Sequence, residues 1–274
     1  MRRKTAYSPT KTNSLTASSG YAIRVAGGQP GSDSLSLCPM SIRTESVPQA
    51  GNKASGAKLP EYLRRTYTWA YLSPRTMPWL DRAPVVSAIL WGNAGRLMRW
   101  AAAQFAPGEH VLQAACVYGD FSPMLARRVG PQGRLSIRDV APIQIDNVRR
   151  KLAGLPQADA EVADLVDPLP TRYDAVCCFF LLHEVPEAER RRIVANLLAA
   201  VKPGGRAVFV DYHRPRPWHP LAPVMAGVFR WLEPFAESLL DEPLGTLADE
   251  AGDFEWHKQT RFGGLYQLVV ARRR

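Results

Sequence analysis

The stretch HVLQAACVYGD, residues 110–120, decides the fold. Its first seven residues form an almost continuous apolar run, which is typical of a strand buried on both faces of a parallel sheet. The turn that follows contains Gly119, and residues 121–129 then show a helical pattern. The stretch therefore predicts the first strand, turn and helix of an α/β domain.

The alternation of strand and helix continues downstream of this stretch. Strands separated by helices are joined by right-handed crossovers, so the pattern predicts a parallel sheet covered on both faces. The fold class is therefore α/β, with a Rossmann-like, doubly wound and mostly parallel sheet. The further predicted elements are strands at 134–138, 160–162, 173–180 and 206–211 and helices at 142–153 and 187–201.

The C-terminal part of the chain predicts an antiparallel end to the sheet. Strands at 254–260 and 265–271 flank Gly263 and Gly264, which together are a hairpin signal. Residues 214–252 are rich in proline and aromatic residues, and they predict a helical insertion before these strands. We therefore expect one α/β domain over 109–274 that contains this insertion.

Two segments precede the α/β domain. Residues 59–108 are rich in Trp and Tyr and predict helices at 61–71, 76–82 and 85–105, interrupted by prolines. The apolar face of the last of these helices either packs on the domain, which we favour, or lines a cleft for an apolar substrate or contacts a bilayer. Residues 1–58 hold 15 Ser or Thr and a net charge of +6. We expect them to form a disordered tail, either an organelle transit peptide or the product of a misassigned start codon.

Composition excludes several classes of protein. A share of 46% hydrophobic residues is enough for one sizeable core, and no apolar run approaches the ~20 residues that a membrane-spanning helix needs. The four cysteines form no C-x-x-C pair, which argues against a zinc ribbon or a disulfide framework. The net charge of +10 lies mostly in residues 1–58, so no basic stripe of the folded part indicates nucleic-acid binding.

Acidic and histidine residues follow the predicted strands at their carboxyl ends. In open α/β sheets, ligands bind at these ends, near the point where the strand order reverses. The sequence therefore predicts one ligand site that gathers these side chains. They are Asp139, Asp164, His183, Glu184, Asp211 and His213.

This pattern resembles the class I S-adenosylmethionine-dependent methyltransferases, whose first strand ends in an acid followed by spaced glycines. Asp139 stands 20 residues after Gly119, and a Lys-Pro-Gly-Gly turn spans 202–205. The motif departs from the family pattern, because its acid and two of its glycines are replaced by Gln113, Ala115 and Val117. The resemblance implies that S-adenosylmethionine binds at Gln113, Ala115, Tyr118, Gly119, Asp139, Val140, Asp164 and Leu165.

The altered motif is similar to that of the rhodoquinone biosynthesis methyltransferase-like family. The similarity includes residues 59–92, FFLLHE at 179–184 and VFVDYHRP at 208–215. It implies that a methoxy group of ubiquinone is exchanged for an amino group, with S-adenosylmethionine as amino donor and Mn²⁺ assisting. Our hypothesis is that neutral Gln113 lies near the α-amine of the donor and leaves that amine uncharged and nucleophilic.

Four of the strand-end residues are candidates both for catalysis and for binding Mn²⁺: His183, Glu184, Asp211 and His213. Imidazole and carboxylate groups suit a divalent ion that polarises a quinone carbonyl. General acid–base catalysis is the alternative. A purely structural role also stays open, because the resemblance includes methyltransferases without metal in which a His-Glu or His-His pair after the fourth strand closes the cleft.

Two other functions remain open. One is methyl transfer to a small apolar aromatic compound or quinone, and the other is a non-catalytic partner in quinone synthesis. Because ubiquinone has an isoprenoid tail, residues 218–232 are interpreted either as a lid packed against helix 85–105 or as an element in peripheral contact with a membrane. We expect a cytoplasmic protein at the inner membrane, or a mitochondrial matrix protein if residues 1–58 are a transit peptide. The sequence leaves the oligomeric state open.

Overall fold

A computed structural model describes residues 59–274, and in them a seven-stranded sheet has the order β3-β2-β1-β4-β5-β7-β6. Strands β1 to β5 are parallel, and β7 lies antiparallel between β5 and β6. This topology confirms the predicted doubly wound sheet with an antiparallel end. The strands are β1 (His110–Ala114), β2 (Arg134–Asp139), β3 (Ala158–Val162), β4 (Tyr173–Phe179), β5 (Val201–Tyr212), β6 (Phe254–Arg261) and β7 (Tyr266–Arg273).

The helices of the described residues lie before, between and after the parallel strands. They are α1 (Glu61–Thr66), α2 (Met77–Leu80), α3 (Ala83–Ile89), α4 (Ala94–Ala102), α5 (Phe121–Val129), α6 (Pro142–Lys151), α7 (Glu187–Ala199), α8 (Ala222–Trp231) and α9 (Ala236–Asp241). One π-helical turn is formed by Thr68–Leu72, and 3₁₀ turns by Leu182–Glu184, Leu244–Thr246 and Asp249–Asp253. The segment 214–252 therefore contains α8, α9 and two 3₁₀ turns.

Apolar side chains cover both faces of the sheet. Successive residues of a strand point to opposite faces, so Val111 and Cys177 belong to one hydrophobic cluster and Leu112 and Val176 to the other. All four side chains are fully buried. This double burial explains why the central strands read as continuous apolar runs.

The predicted helix at 85–105 is wrong as one helix, because the chain breaks between α3 and α4. Trp91 and Gly92 have φ values of 52° and 75°, and the side-chain amide of Asn93 donates to the Trp91 carbonyl oxygen at 3.0 Å. A left-handed pair of residues cannot continue a right-handed helix. The signal was Gly92, since glycine favours positive φ.

Strand β5 begins earlier than the predicted 206–211. It includes the Lys-Pro-Gly-Gly segment, and its pairing with β4 shifts register between Tyr173 and Ala175. Gly205 lies so close to β4 that an added Cβ would stand 2.6 Å from the Asp174 carbonyl oxygen. Glycine is required here because the two strands approach closely. The Lys-Pro-Gly-Gly segment, which predicted a turn, therefore lies within β5, at the point where its register against β4 shifts.

The predicted tail at 1–58, with its proposed targeting role, lies outside the described residues. Among residues 59–274, no helix combines the length and the hydropathy needed to cross a membrane.

Candidate functional site

The turn after β1 is held by the carboxylate at the end of β2. Asp139 accepts hydrogen bonds from the backbone N–H of Cys116 at 2.7 Å and of Ala141 at 2.8 Å. Ala115 has a φ of 66°, so a non-glycine residue takes the left-handed conformation that glycine favours. Burial raises the pKa of Asp139 to about 6, although the two N–H donors oppose this shift. The carboxylate is therefore ionised above this pH and fixes the shape of the turn.

A cavity of about 160 Å³ opens at the carboxyl ends of the parallel strands. Six of the predicted cofactor residues and two of the predicted catalytic residues line it: Ala115, Tyr118, Asp139, Val140, Asp164, Leu165, His183 and Glu184. The strand ends of β1, β2, β3 and β4 bring these residues together. The structure therefore gathers most of the predicted set into one site.

Gln113 does not line this cavity. Its side chain is fully buried below the turn, where the amide nitrogen donates to the Ala115 carbonyl oxygen at 3.0 Å and to the Ser122 hydroxyl at 2.9 Å. The amide oxygen has no hydrogen-bond partner in the structure. We predicted that Gln113 lies next to the amine of the bound donor. In the structure its side chain does not reach the cavity, so it makes no direct contact there. Its influence on a ligand would pass through the turn above it.

Gly119 also lies outside the cavity lining and instead ties the turn to the N-terminal helices. Its N–H donates to the Asp81 carboxylate at 2.7 Å, and its carbonyl oxygen accepts from the Lys151 ammonium at 2.7 Å. Its φ of 81° is strained for any residue with a side chain, and an added Cβ would stand 3.1 Å from the Met98 methyl carbon, which would have to shift. Gly119 is a structural residue of the turn.

Asp211 and His183 form a buried dyad at the ends of β5 and β4. The Nδ1 atom of His183 lies 2.7 Å from one Asp211 oxygen, and the other oxygen accepts from the Leu182 N–H at 2.9 Å. The remaining ring nitrogen, Nε2, lies 3.6 Å from the Glu184 carboxylate. Asp211 therefore orients the imidazole, and the second ring nitrogen is available on the cavity side.

Carboxylates surround the His183 imidazole and favour its charged form. Burial lowers the pKa of His183, but Asp211, Glu233 and Glu184 outweigh burial and bring this pKa to about 9. Burial raises the pKa of both Glu184 and Glu233, and His183 opposes that shift. Near neutral pH, the His183 ring of the dyad is therefore an imidazolium, and it can donate a hydrogen bond or a proton.

The four predicted Mn²⁺ ligands do not assemble. Within residues 59–274, no group of three or more His, Cys, Asp or Glu side chains has the arrangement needed to hold a metal ion. Asp211 is 1% exposed, and its oxygens accept from two backbone N–H groups and face His183. His213 lies apart from the others, with its Nδ1 atom 2.7 Å from the Gly264 carbonyl oxygen. The donor set does not fit Mn²⁺, and His213 is part of the hairpin rather than of the site.

Sequence reasoning missed the residues that close the site from the N-terminal segment. The Tyr71 hydroxyl donates to Glu184, and the Tyr71 ring stacks on Tyr118 with ring centroids 5.5 Å apart. The Tyr67 hydroxyl donates to Glu233 at 2.7 Å. The signal was the crowding of tyrosines at 62–71, to which the sequence assigned no role in the site.

Glu233 was missed for a different reason. It follows α8 directly in an apolar insertion, and no motif marks it as a site residue. Only the fold brings it to the cavity that His183 and Glu184 also line.

Comparison with known proteins agrees with this fold. Residues 111–205 match the model of a family described as "Methyltransferase domain". An uncharacterised methyltransferase of Synechocystis sp. is 29% identical over 213 residues, which are 75% of this chain and 94% of that protein. A 2-phytyl-1,4-naphtoquinone methyltransferase of Synechococcus elongatus is 33% identical over 146 residues, 51% of this chain and 60% of that protein.

Solved structures show the same architecture. An O-methyltransferase family protein from Burkholderia thailandensis superposes with a TM-score of 0.52 at 15% identity, over 69% of this chain and 59% of that one. At this identity the likeness establishes the fold, which is that of the class I methyltransferases. The chain spans about three fifths of the length of this protein and of the Synechococcus relative.

Proposed function

We propose that this chain is an S-adenosylmethionine-dependent transferase whose acceptor is the ring of a lipophilic quinone. We further propose that it exchanges a methoxy group of ubiquinone for an amino group and so forms rhodoquinone. The observation that carries the proposal is a buried, cation-forming imidazole, His183, in an otherwise largely apolar cavity beside strand-end acids. The similarity to a naphthoquinone methyltransferase supports a quinone as the acceptor. The match to a methyltransferase domain supports S-adenosylmethionine as the donor.

S-adenosylmethionine fits the part of the cavity formed by β1, β2 and β3. Each oxygen of Asp139 accepts one backbone N–H, and the Cys116 thiol also hydrogen-bonds to this carboxylate. A carboxylate has about four acceptor sites, so Asp139 can still accept from a ribose hydroxyl. Asp164 and Leu165 line the adjoining strand end, and Tyr118 lines the turn. When bound, S-adenosylmethionine supplies a transferable group, either its amine or its methyl group.

The quinone ring is accommodated by aromatic and aliphatic side chains. Phe179, Phe180, Ile89 and Leu90 line the cavity together with Tyr71. Such a lining suits a planar, uncharged ring and leaves orientation to a few polar groups. His183 lines the cavity, and Asp211 holds its Nδ1 atom in place. Its Nε2–H can therefore donate a hydrogen bond to the quinone from a fixed position.

His183 in its cationic form favours reactions of an oxidised quinone. An imidazolium that donates to a ring carbonyl withdraws electrons from the ring and so assists addition of a nucleophile. In the exchange, the donor's α-nitrogen forms a bond to the ring carbon, and the ring C–O bond to the methoxy group breaks. The departing methoxide takes a proton and leaves as methanol, and His183 is positioned to supply that proton. Release of the amino group then breaks the N–Cα bond of the donor: the Cα–H electrons reduce the quinone ring to a quinol, and water hydrolyses the resulting imine to the aminoquinol and a 2-oxo acid.

Gln113 supports amino rather than methyl transfer. An acid at this buried position would add a negative charge beneath the turn and stabilise a cationic amine above it. The amide keeps the polar contacts to Ala115 and Ser122 without that charge. A bound α-amine would then lose its proton more readily and act as a nucleophile.

Methyl transfer to a quinone or quinol is the second candidate. The matched family and the Synechococcus relative are both described as methyltransferases, which favours it. Carbon methylation of a quinol needs a base, however, and an imidazole with a pKa of about 9 is mostly protonated at neutral pH.

Isotope labelling separates these functions. The full chain is incubated with ubiquinone and S-adenosylmethionine carrying ¹⁵N in its α-amine and ¹³C in its S-methyl group, with and without Mn²⁺. We expect a quinone that has lost one methoxy group and gained ¹⁵N. A product with a ¹³C-methyl group would contradict amino transfer and establish the second candidate. An unchanged quinone in both arms would contradict the whole proposal, and His183→Gln serves as the inactive control.

A further inference from the structure

Large apolar side chains are exposed around helix α8. Trp231 is 78% exposed and Trp218 is 69% exposed, although tryptophan is usually well covered in a folded protein. We call this group the α8 surface, and it consists of Trp91, Trp218, Val224, Trp231, Leu232 and Phe262, all exposed in the structure.

The members of the α8 surface come from three neighbouring parts of the fold. The indole nitrogen of Trp91, in the break between α3 and α4, lies 3.2 Å from the sulfur of Met225 in α8. The ring of Phe262, in the turn after β6, meets the ring of His219 with centroids 5.1 Å apart. His219 in turn accepts from the Leu221 N–H at the start of α8. These contacts place Trp91 and Phe262 beside α8 and the segment that leads into it.

Helix α8 has no polar face. Val224 and Trp231 are seven residues apart and point outward on the same side, while Met225 and Phe229 are buried against the core. An ordinary surface helix presents charged residues to water, but the outward side of α8 offers Arg230 as its single charged group. A helix that is apolar on both sides needs a non-aqueous partner on its outer side.

The charge of the surrounding segment is entirely positive. Between residues 212 and 232 the sequence contains three arginines and neither Asp nor Glu. Arg216 lies 5.5 Å from the centroid of the Trp218 ring, and Arg230 lies 5.8 Å from that of Trp231. Alternation of tryptophan and arginine suits the interface of a membrane, where indole rings lie at the level of the headgroups and cations meet phosphate.

A shallow groove adjoins the α8 surface at Phe262. Its volume is about 250 Å³, and it is lined by Asn93, Arg96, Leu97, Arg261, Phe262 and Tyr266. Two arginines line this groove, and the guanidinium of Arg261 lies 4.5 Å from the centroid of the Trp100 ring. Arginines beside apolar side chains can pair with a phosphate while the attached acyl chains follow the apolar side chains. The groove therefore favours an anionic lipid over a protein partner.

Residues that line the cavity adjoin the α8 surface in the sequence. Ile89 lines the cavity and is half exposed, and Leu90 and Trp91 follow it directly. Glu233, which also lines the cavity, comes two residues after Trp231. A molecule that leaves a bilayer at the α8 surface would therefore reach the site without crossing water.

We propose that the α8 surface docks on an anionic lipid bilayer and that a quinone with an isoprenoid tail enters the cavity there. The docking stands on the exposed side chains and the charge pattern alone, whereas the entry of a quinone rests on the proposed function. The two parts are tested separately.

Vesicle flotation tests the docking without any reaction. The full chain is mixed with vesicles of phosphatidylcholine alone or with phosphatidylglycerol added, and no quinone is present. We expect flotation with the anionic vesicles, and about tenfold weaker partitioning for the double variant Val224→Ser/Trp231→Ser. Arg96→Ser/Arg261→Ser should reduce the preference for anionic over neutral vesicles. Thermal melting of each variant confirms that it is folded.

Trp79→Ser is the matched control, since Trp79 is an exposed tryptophan of another helix, α2. It should float like the parent protein, and an equal loss of flotation would overturn the assignment to α8. A parent protein that stays unbound with both kinds of vesicle would overturn the docking. A dimer that Val224→Ser/Trp231→Ser dissociates, without any vesicle binding, would show that a second copy covers the surface.

Activity on two quinones tests the entry. The double variant should keep the parent rate on a ubiquinone with a single isoprene unit in solution and lose rate on a long-tailed ubiquinone in vesicles. Equal rates of variant and parent on the long-tailed substrate would overturn entry at this surface. A parent protein inactive on both would contradict the proposed function and leave the flotation result standing.

Discussion

Asp211 shows how one buried carboxylate prepares a neighbouring group for chemistry. It is 1% exposed, it accepts from the backbone at Leu182 and Tyr212, and it faces the Nδ1 atom of His183. Fixed partners at both oxygens leave it no freedom to turn away, so the imidazole has one orientation. Asp211 is thus a positioning residue, and His183 is the group that would touch the substrate.

Asp211→Asn should keep the orientation of the His183 ring but remove the carboxylate that raises the pKa of His183. The parent rate should fall as pH rises through about 9, where His183 loses its proton. Without the Asp211 anion the pKa of His183 drops, so the fall should move to lower pH, and the rate at pH 8 should decrease by about 10²-fold. The measurement is the pH–rate profile of quinone product formation, with thermal melting as the control for folding. A profile whose alkaline limb does not move would contradict this role.

Some site residues could be predicted singly, and others could not. Asp139 and His183 follow strands, and the position after a parallel strand is informative by itself. The direction of the Gln113 side chain is not, because a residue at the end of a strand can face the ligand or the underside of the turn. Glu233 depends on the path of α8 across the sheet, and that path leaves no local pattern in the sequence.

At the scale of elements, the break between α3 and α4 aligns two parts of the site. Periodic apolar residues at 86, 89, 90, 97 and 100 predicted one long helix. The backbone instead turns at Trp91 and Gly92, so that Val86 and Leu90 reach the cavity from α3 while Met98 reaches it from α4. Strands were predicted more reliably than these helices, because apolar runs in a covered sheet leave few alternatives.

Gly92→Ala should destabilise the fold by about 1 kcal/mol, because its φ of 75° is strained for any residue with a Cβ. No atom lies within 4 Å of the added Cβ, so the effect is one of conformation and not of collision. Gly227→Ala is the matched control, since Gly227 lies inside α8 with equal space, and it should stabilise by roughly 0.5–1 kcal/mol. Chemical denaturation measures both. Equal signs for the two variants would contradict the explanation of the helix break.

For the molecule as a whole, the order of strands was predictable and the covering of the cavity was not. The strand–helix alternation and the final hairpin are local patterns, and right-handed crossovers leave few topologies for them. The N-terminal tyrosines reach Glu184 and Glu233 across more than a hundred residues of sequence. Contacts of this range depend on the finished fold, so no segment read alone reveals them.

Binding of S-adenosylmethionine should stabilise the whole chain. At a concentration of about 100 times Kd, a ligand that binds only the folded state adds about 2.7 kcal/mol, which corresponds to a rise in Tm of several degrees. The rise should shrink as pH falls through about 6, because Asp139 then takes up a proton and loses its charge. Differential scanning fluorimetry between pH 5 and 8 measures this, with ATP as a control nucleotide. A Tm unchanged by millimolar S-adenosylmethionine would contradict binding.

Because β7 lies between β5 and β6, the sheet cannot be completed during synthesis until β7 has left the ribosome. Of the strands described, β7 is translated last, yet β6 pairs with no other strand. Until residues 266–273 have emerged, the nascent chain therefore carries β6 unpaired and β5 with one open edge, both able to join a foreign strand. Shortening the chain within β7 would make that vulnerable stage permanent.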